Sequence, residues 1–129
     1  MNIKPTDSEL EILNILWDKG TASVREVHDV LAQSKEAGYT TTLKLMQIMH
    51  EKGLLKRDDS ARSHLYTVNV AQETTQEQMV KRMIDNVFKG SASKMVMQAL
   101  GNHKTSSEEL DEIKKYLAQI EKNMDHPKK

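Results

Sequence analysis

Thr40, Thr41, Lys44 and Gln47 fall on one side of a helical wheel. Two short hydroxyls, a cation and an amide in that arrangement suit contacts to DNA. The face is short and polar with one cation, and a helix of that kind on a suitable support fits the DNA major groove. Ile48 and Glu51 share this side, with Leu43 on its shoulder. A plain solvated helix face has much the same composition, so the reading depends on what surrounds the helix.

Other chemistries find little support. The chain has no cysteine, which excludes disulfides, thiol catalysis and thiolate metal clusters. Its histidines (28, 50, 64, 103 and 126) never recur at three- or four-residue spacing, so no metal site is expected. There is no glycine-rich phosphate loop, no clustered carboxylate pair and no placeable nucleophile–base pair, so the chain is not read as an enzyme and no cofactor is expected. Met46, Met49, Met79, Met83, Met95, Met97 and Met124 could suggest a soft ligand pocket, but at helical spacing they read first as packing residues.

The surrounding elements favour the DNA reading. A helix is expected from Thr6, with Thr6 and Glu9 as a capping box and Leu10, Ile12, Leu13, Leu16 and Trp17 as a wide apolar arc. Gly20 ends it. Ser23 and Glu26 form a second capping box, followed by Val24, Val27 and Leu31 at helical spacing, with Arg25, Glu26 and Asp29 outward. Gly38 supplies a turn. A third helix is expected over residues 40–52, packing through Thr42, Leu45, Met46 and Met49 and stopping at Gly53. Residues 54–57 and 64–68 alternate like strands around a turn-rich segment. The order is that of a helix-turn-helix with a wing. Lys56, Arg57 and Arg62 sit on that wing, where phosphate contacts are expected.

Composition sets limits on this reading. The 129 residues suffice for one ordinary domain or two small ones. Mean hydropathy is −0.66, and no apolar run approaches a bilayer-spanning length, so no membrane insertion is expected. The first five residues lack the apolar core of a signal peptide, which points to the cytoplasm. Lys plus Arg equals Asp plus Glu at 19 each, so DNA binding rests on architecture more than on charge.

From Gln72 onward the pattern is wholly helical. Met79, Met83 and Val87 form one row, with Val80, Ile84 and Phe88 beside it. Breaks are expected at Gly90-Ser91 and at Gly101-Asn102, around a short apolar piece at residues 95–100. Leu110, Ile113, Leu117, Ile120 and Met124 then alternate at three and four residues, an a/d seam. Residues 126–129 read as a frayed tail. Three helices with this much apolar surface, no strands and about 55 residues make a poor core alone, and pairing with a second copy through Met79, Met83, Ile84, Val87, Leu110, Ile113, Leu117 and Ile120 is expected. The fold class is therefore mostly α. Residues 1–71 are a winged helix-turn-helix, with three helices plus a β-hairpin, and residues 72–129 are a helical dimerisation region.

These stretches resemble the penicillinase-repressor family (BlaI/MecI/CopY) of bacterial transcriptional repressors. The matching pieces are Asp7-Ser-Glu-Leu-Glu-Ile-Leu-Asn-Ile-Leu-Trp17, Val24-Arg-Glu-Val27, Tyr39-Thr-Thr-Thr42, Lys52-Gly-Leu-Leu-Lys-Arg57 and the joint Gly90-Ser-Ala-Ser93, in the family's order and spacing. The resemblance implies a homodimer on a palindromic operator, with Thr40, Thr41, Leu43, Lys44, Gln47, Ile48, Lys56, Arg57 and Arg62 on the DNA. It also implies release through cleavage in the dimerisation helices, signalled by a membrane-anchored metalloprotease. The corresponding peptide is Gln98-Ala99, where the antibiotic-responsive branch carries Asn-Phe. The copper-responsive branch has paired cysteines near its C-terminus, and their absence here disfavours copper sensing. Leu43 and Ile48 stand where relatives carry arginine, which implies an A/T-rich half-site and a shallow salt dependence.

Two other functions share parts of this pattern. A ligand-sensing winged-helix regulator would have an apolar pocket among Met79, Met83, Phe88 and Met97. A protein–protein adaptor would keep the fold without binding DNA.

Overall fold

Thr6 opens the first helix as the sequence predicts. In the computed structural model, which describes residues 4–60 and 62–125, its hydroxyl accepts from Glu9 N at 3.2 Å and its own N–H donates to Glu9 Oε1 at 2.9 Å. Helix α1 runs Asp7–Lys19 and stops at Gly20, whose φ of 85° suits a residue without a β-carbon. Ser23 and Glu26 repeat the reciprocal cap at 3.2 and 2.9 Å and start α2, Val24–Leu31. Helix α3 spans Tyr39–Glu51. Past it, Gly53 has φ 86°, and Leu54 N donates to Met49 O at 2.9 Å, which turns the chain toward the wing.

Three strands complete the first unit. They are β1 at Thr21–Ala22, β2 at Leu55–Asp58 and β3 at Leu65–Val68, antiparallel in the order β1-β3-β2. Sequence reading missed β1, because two residues are too short to show an alternation. Its pairing places Thr21 opposite Thr67, with the two hydroxyls 3.1 Å apart.

The core lies where the three helices meet the sheet. Ile12, Leu13 and Leu16 come from α1, Val24, Val27 and Leu31 from α2, and Met46 and Met49 from α3, closed by Leu54, Leu55 and Tyr66. A fully buried leucine such as Leu13 is worth about 2–3 kcal/mol in transfer free energy. With Thr42, Met46 and Met49 held inward, the outer side of α3 is fixed in solvent.

The chain divides into two compact units, one through Val80 and one from Lys81 onward. Helix α4, Gln72–Asn86, runs across that division. Its first turns are anchored by Thr75, which is buried and donates to Ala71 O at 3.0 Å, while Trp17 Nε1 donates to Val70 O at 3.1 Å. Lys89 and Gly90, with φ of 51° and 87°, form the joint before α5, Ala92–Asn102. The break expected at Gly101-Asn102 falls at residues 103–106 instead, because α5 continues through both residues. Asn102 Nδ2 donates to Gln98 O at 3.0 Å and to Gln98 Oε1 at 2.8 Å, which holds the last turn closed. Helix α6 spans Ser107–Asp125, begun by Ser106, whose hydroxyl accepts from Glu109 N at 3.1 Å. The tail at residues 126–129 lies outside the described residues.

Among the described residues, no helix is long and apolar enough to cross a membrane. The architecture is a mostly α winged helix with a wing hairpin, followed in the chain by further helices.

Candidate nucleic-acid interface

Thr40, Thr41, Lys44, Gln47 and Ile48 are all exposed on α3. Leu43 is half-buried and packs against the core, so part of its side chain is already committed to holding α3 in place. Gly38, the N-cap of α3, offers no side-chain hydrogen bond, so the first turn of α3 keeps free N–H groups.

The wing charges separate into two kinds. Lys56 and Arg62 are exposed. Arg57 stands opposite Tyr66 in the hairpin register and is half-buried. Its Nε lies 2.7 Å from Asp59 Oδ1 as an ion pair without hydrogen-bond alignment, and its Nη2 donates to Asp59 Oδ2 at 3.5 Å. Contact with the Tyr66 hydroxyl and with Asp59 raises the Arg57 pKa above its ordinary value. Arg57 thus has partners within its own wing, whereas Lys56 and Arg62 are exposed. Asp58 Oδ1 accepts from Ser60 N at 2.9 Å, and contacts with Ser60 hold its carboxyl below the usual range.

Between α2, α3 and the wing lies a notch of about 290 Å³. Tyr39, Leu43 and Gln47 line it from α3, Arg25 from α2, and Arg62, Ser63 and His64 from the wing. Sequence reading assigned Arg25 only to an outward surface. Its guanidinium carbon lies over the Tyr39 ring, 4.3 Å from the centroid. Tyr39 in turn meets His28 edge to face at 5.6 Å, and His28 Nδ1 lies 3.3 Å from Thr42 Oγ1. Arg25 and Tyr39 lie on different helices, so nothing local in the sequence announced the pair.

The residues expected to pair two copies lie on α4 and α6. Met83, Val87, Leu110, Leu117 and Ile120 are exposed, Val87 at 61% and Leu117 at 51%. Met79, Ile84 and Ile113 are half-buried. Among the described residues from Lys81 to Asp125, none is buried. Gln98 and Ala99 are exposed in the interior of α5. Beside them an open groove of about 500 Å³ is lined by Phe88, Ser93, Lys94, Met97, Gln98 and Asn102. Phe88 and Met97 line this groove, but Met79 and Met83 do not. No group of three or more His, Asp or Glu side chains able to hold a metal ion occurs among the described residues.

Comparison with known proteins agrees with this layout. Residues 5–119 match the family model described as Penicillinase repressor. The chain is 23% identical to the penicillinase repressor of Staphylococcus aureus, over 89% of this chain and 91% of that protein. It is 24% identical to the penicillinase repressor of Bacillus licheniformis, over 87% and 88% of the two chains. It is 25% identical to the transcriptional regulator BlaI of Mycobacterium tuberculosis, over 89% and 83%. The match spans both the winged helix and most of the helices that follow it in the chain, and on that ground the chain belongs to the penicillinase repressor family, whose members are transcriptional repressors and not enzymes.

Proposed function

We propose that this repressor works in the cytoplasm as a homodimer on a palindromic operator. The winged helix of each copy, residues 1–71, reads one half-site, and residues 72–129 hold the copies together. The observation that carries the reading is the sorting of α3: Thr42, Met46 and Met49 are buried, while Thr40, Thr41, Lys44, Gln47 and Ile48 are exposed beside a cationic wing. Two such helices about 34 Å apart would enter successive major grooves. Lys56 and Arg62 supply phosphate contacts, and Arg57 joins them when the DNA competes successfully with Asp59. Ile48, with Leu43 beside it, favours thymine methyls and hence an A/T-rich half-site.

Release in this reading follows from loss of the dimer. Cleavage at Gln98-Ala99, signalled by a membrane-anchored metalloprotease sensor, would separate α6 from α4. Because this peptide lies inside α5, a protease must first unwind a turn of that helix. A ligand-sensing regulator has weaker support, since the groove near Phe88 and Met97 is open and four of its six lining residues are polar.

The test is a mobility-shift titration with the DNA upstream of the protein's own gene, beside duplexes with scrambled half-sites. Retardation of the inverted repeat at far lower protein concentration than the scrambled duplex is expected. Equal affinity for both, or no retardation of either, overturns the proposal.

A further inference from the structure

The notch between α2, α3 and the wing brings together two cations that come from different elements. Arg25 belongs to the first turn of α2 and Arg62 to the wing, and both line the same space as Gln47, an outer residue of α3. No Asp or Glu is among the residues that line it. Ser63 and His64 add further hydrogen-bonding groups from the wing. A concavity lined by two arginines and a serine, with His64 on its wing side 3.6 Å from Asp59 Oδ1, fits an anion with several acceptor oxygens.

Arg25 differs from an ordinary surface arginine in having a support. Its guanidinium carbon lies over the Tyr39 ring at 4.3 Å, and Tyr39 is braced edge to face by His28. The support leaves the guanidinium N–H groups without a carboxylate partner in the notch, and it restricts the side chain before any ligand arrives. Less rotamer freedom is then lost per hydrogen bond formed.

We propose that this notch seats one backbone phosphate of the operator duplex, gripped between Arg25 and Arg62, and so sets how deeply α3 enters the groove. The proposal rests on the operator reading above and adds to it a contact from α2. A phosphate contact of this kind fixes register without reading sequence. Tyr39 is a positioning residue here, acting through Arg25.

Fluorescence anisotropy of the upstream duplex tests the idea, with Arg25→Ala, Arg25→Lys and Tyr39→Leu compared with the natural chain across about 0.05 to 0.3 M salt. Arg25→Ala is expected to weaken binding about tenfold, to the operator and to an unrelated duplex alike, and to make the slope of log affinity against log salt shallower by about 1. Arg25→Lys keeps the charge and should retain the slope while losing part of the affinity. Tyr39→Leu should lose less than Arg25→Ala, and the two changes combined should lose no more than Arg25→Ala alone. Placing one uncharged methylphosphonate at the contacted position should weaken the natural chain but not Arg25→Ala. An Arg25→Ala variant with the natural slope, or one that alters base preference while leaving the slope untouched, overturns the notch. If the natural chain binds the upstream duplex and Arg25→Ala binds it equally, only the notch falls. If the natural chain binds no duplex, the operator reading falls and the notch with it.

Discussion

Lys52 Nζ donates to both carboxylate oxygens of Glu9, at 2.7 Å to Oε1 and 2.9 Å to Oε2. The pair ties the end of α3 to the first turn of α1, across 43 residues of chain. Glu9 is also the N3 residue of the capping box, so one carboxylate satisfies Thr6 N and neutralises Lys52. It is 2% exposed, and removing its cation would leave a buried charge without compensation.

Lys52→Met should therefore destabilise the winged helix by about 2 kcal/mol, since a hydrogen bond to a charged group contributes about 1.5–3 kcal/mol. Urea unfolding followed by Trp17 fluorescence measures this. A change under about 0.5 kcal/mol, the range of ordinary surface substitutions, would show that the pair contributes little.

The same carboxylate predicts a pH dependence. Burial pushes the Glu9 pKa up, but the hydrogen bond from Lys52, the capping contacts with Thr6 and the Lys52 charge outweigh it, and the folded value lies below the ordinary 4.5. The unfolded chain then binds the proton more readily than the folded one. The contribution is complete above the ordinary carboxylate value and is lost as pH falls through the depressed folded value. Unfolding midpoints between about pH 3 and pH 6 should fall more steeply on acidification for the natural chain than for Glu9→Gln. Parallel curves would contradict the assignment.

Lys44→Ala and Gln47→Ala alter exposed side chains, so thermal stability should stay within about 0.5 kcal/mol. Their effects on DNA should differ in kind. Lys44→Ala is expected to weaken binding broadly. Gln47→Ala should cost about 1–3 kcal/mol of discrimination at one base pair, read from a half-site selection. Unchanged affinity in both variants would remove α3 from the interface.

Leu117→Lys with Ile120→Glu should convert the protein to monomers in sedimentation experiments and abolish operator-specific retardation. The Trp17 unfolding transition should survive, because both substituted positions lie in the second compact unit. Tight operator binding by a monomeric variant would break the link between pairing and DNA recognition.

Much of this architecture is local and was therefore legible. The capping boxes at Thr6 and Ser23 each span three residues, and α1 and α2 begin where those boxes require. The sorting of α3 follows from its own period, and Thr42, Met46 and Met49 are buried as that period demands. What escaped was short or distant. The two residues of β1 take their conformation from β3, far along the chain. The pairing of Glu9 with Lys52 and the meeting of Arg25, Tyr39 and Arg62 arise only when separate elements dock. The break expected at Gly101-Asn102 falls just after those residues, because the glycine is tolerated within the helix and the Asn102 side chain closes the last turn on Gln98.

The lack of any buried residue between Lys81 and Asp125 in one chain bears on dosage. Under the proposed pairing, in which residues 72–129 complete their core with a second copy, promoter occupancy far from saturation follows the square of the free protein level wherever single chains predominate. Halving synthesis would then cut occupancy by nearly four, so transcription could respond sharply to modest changes in the protein's own abundance before any inducer acts.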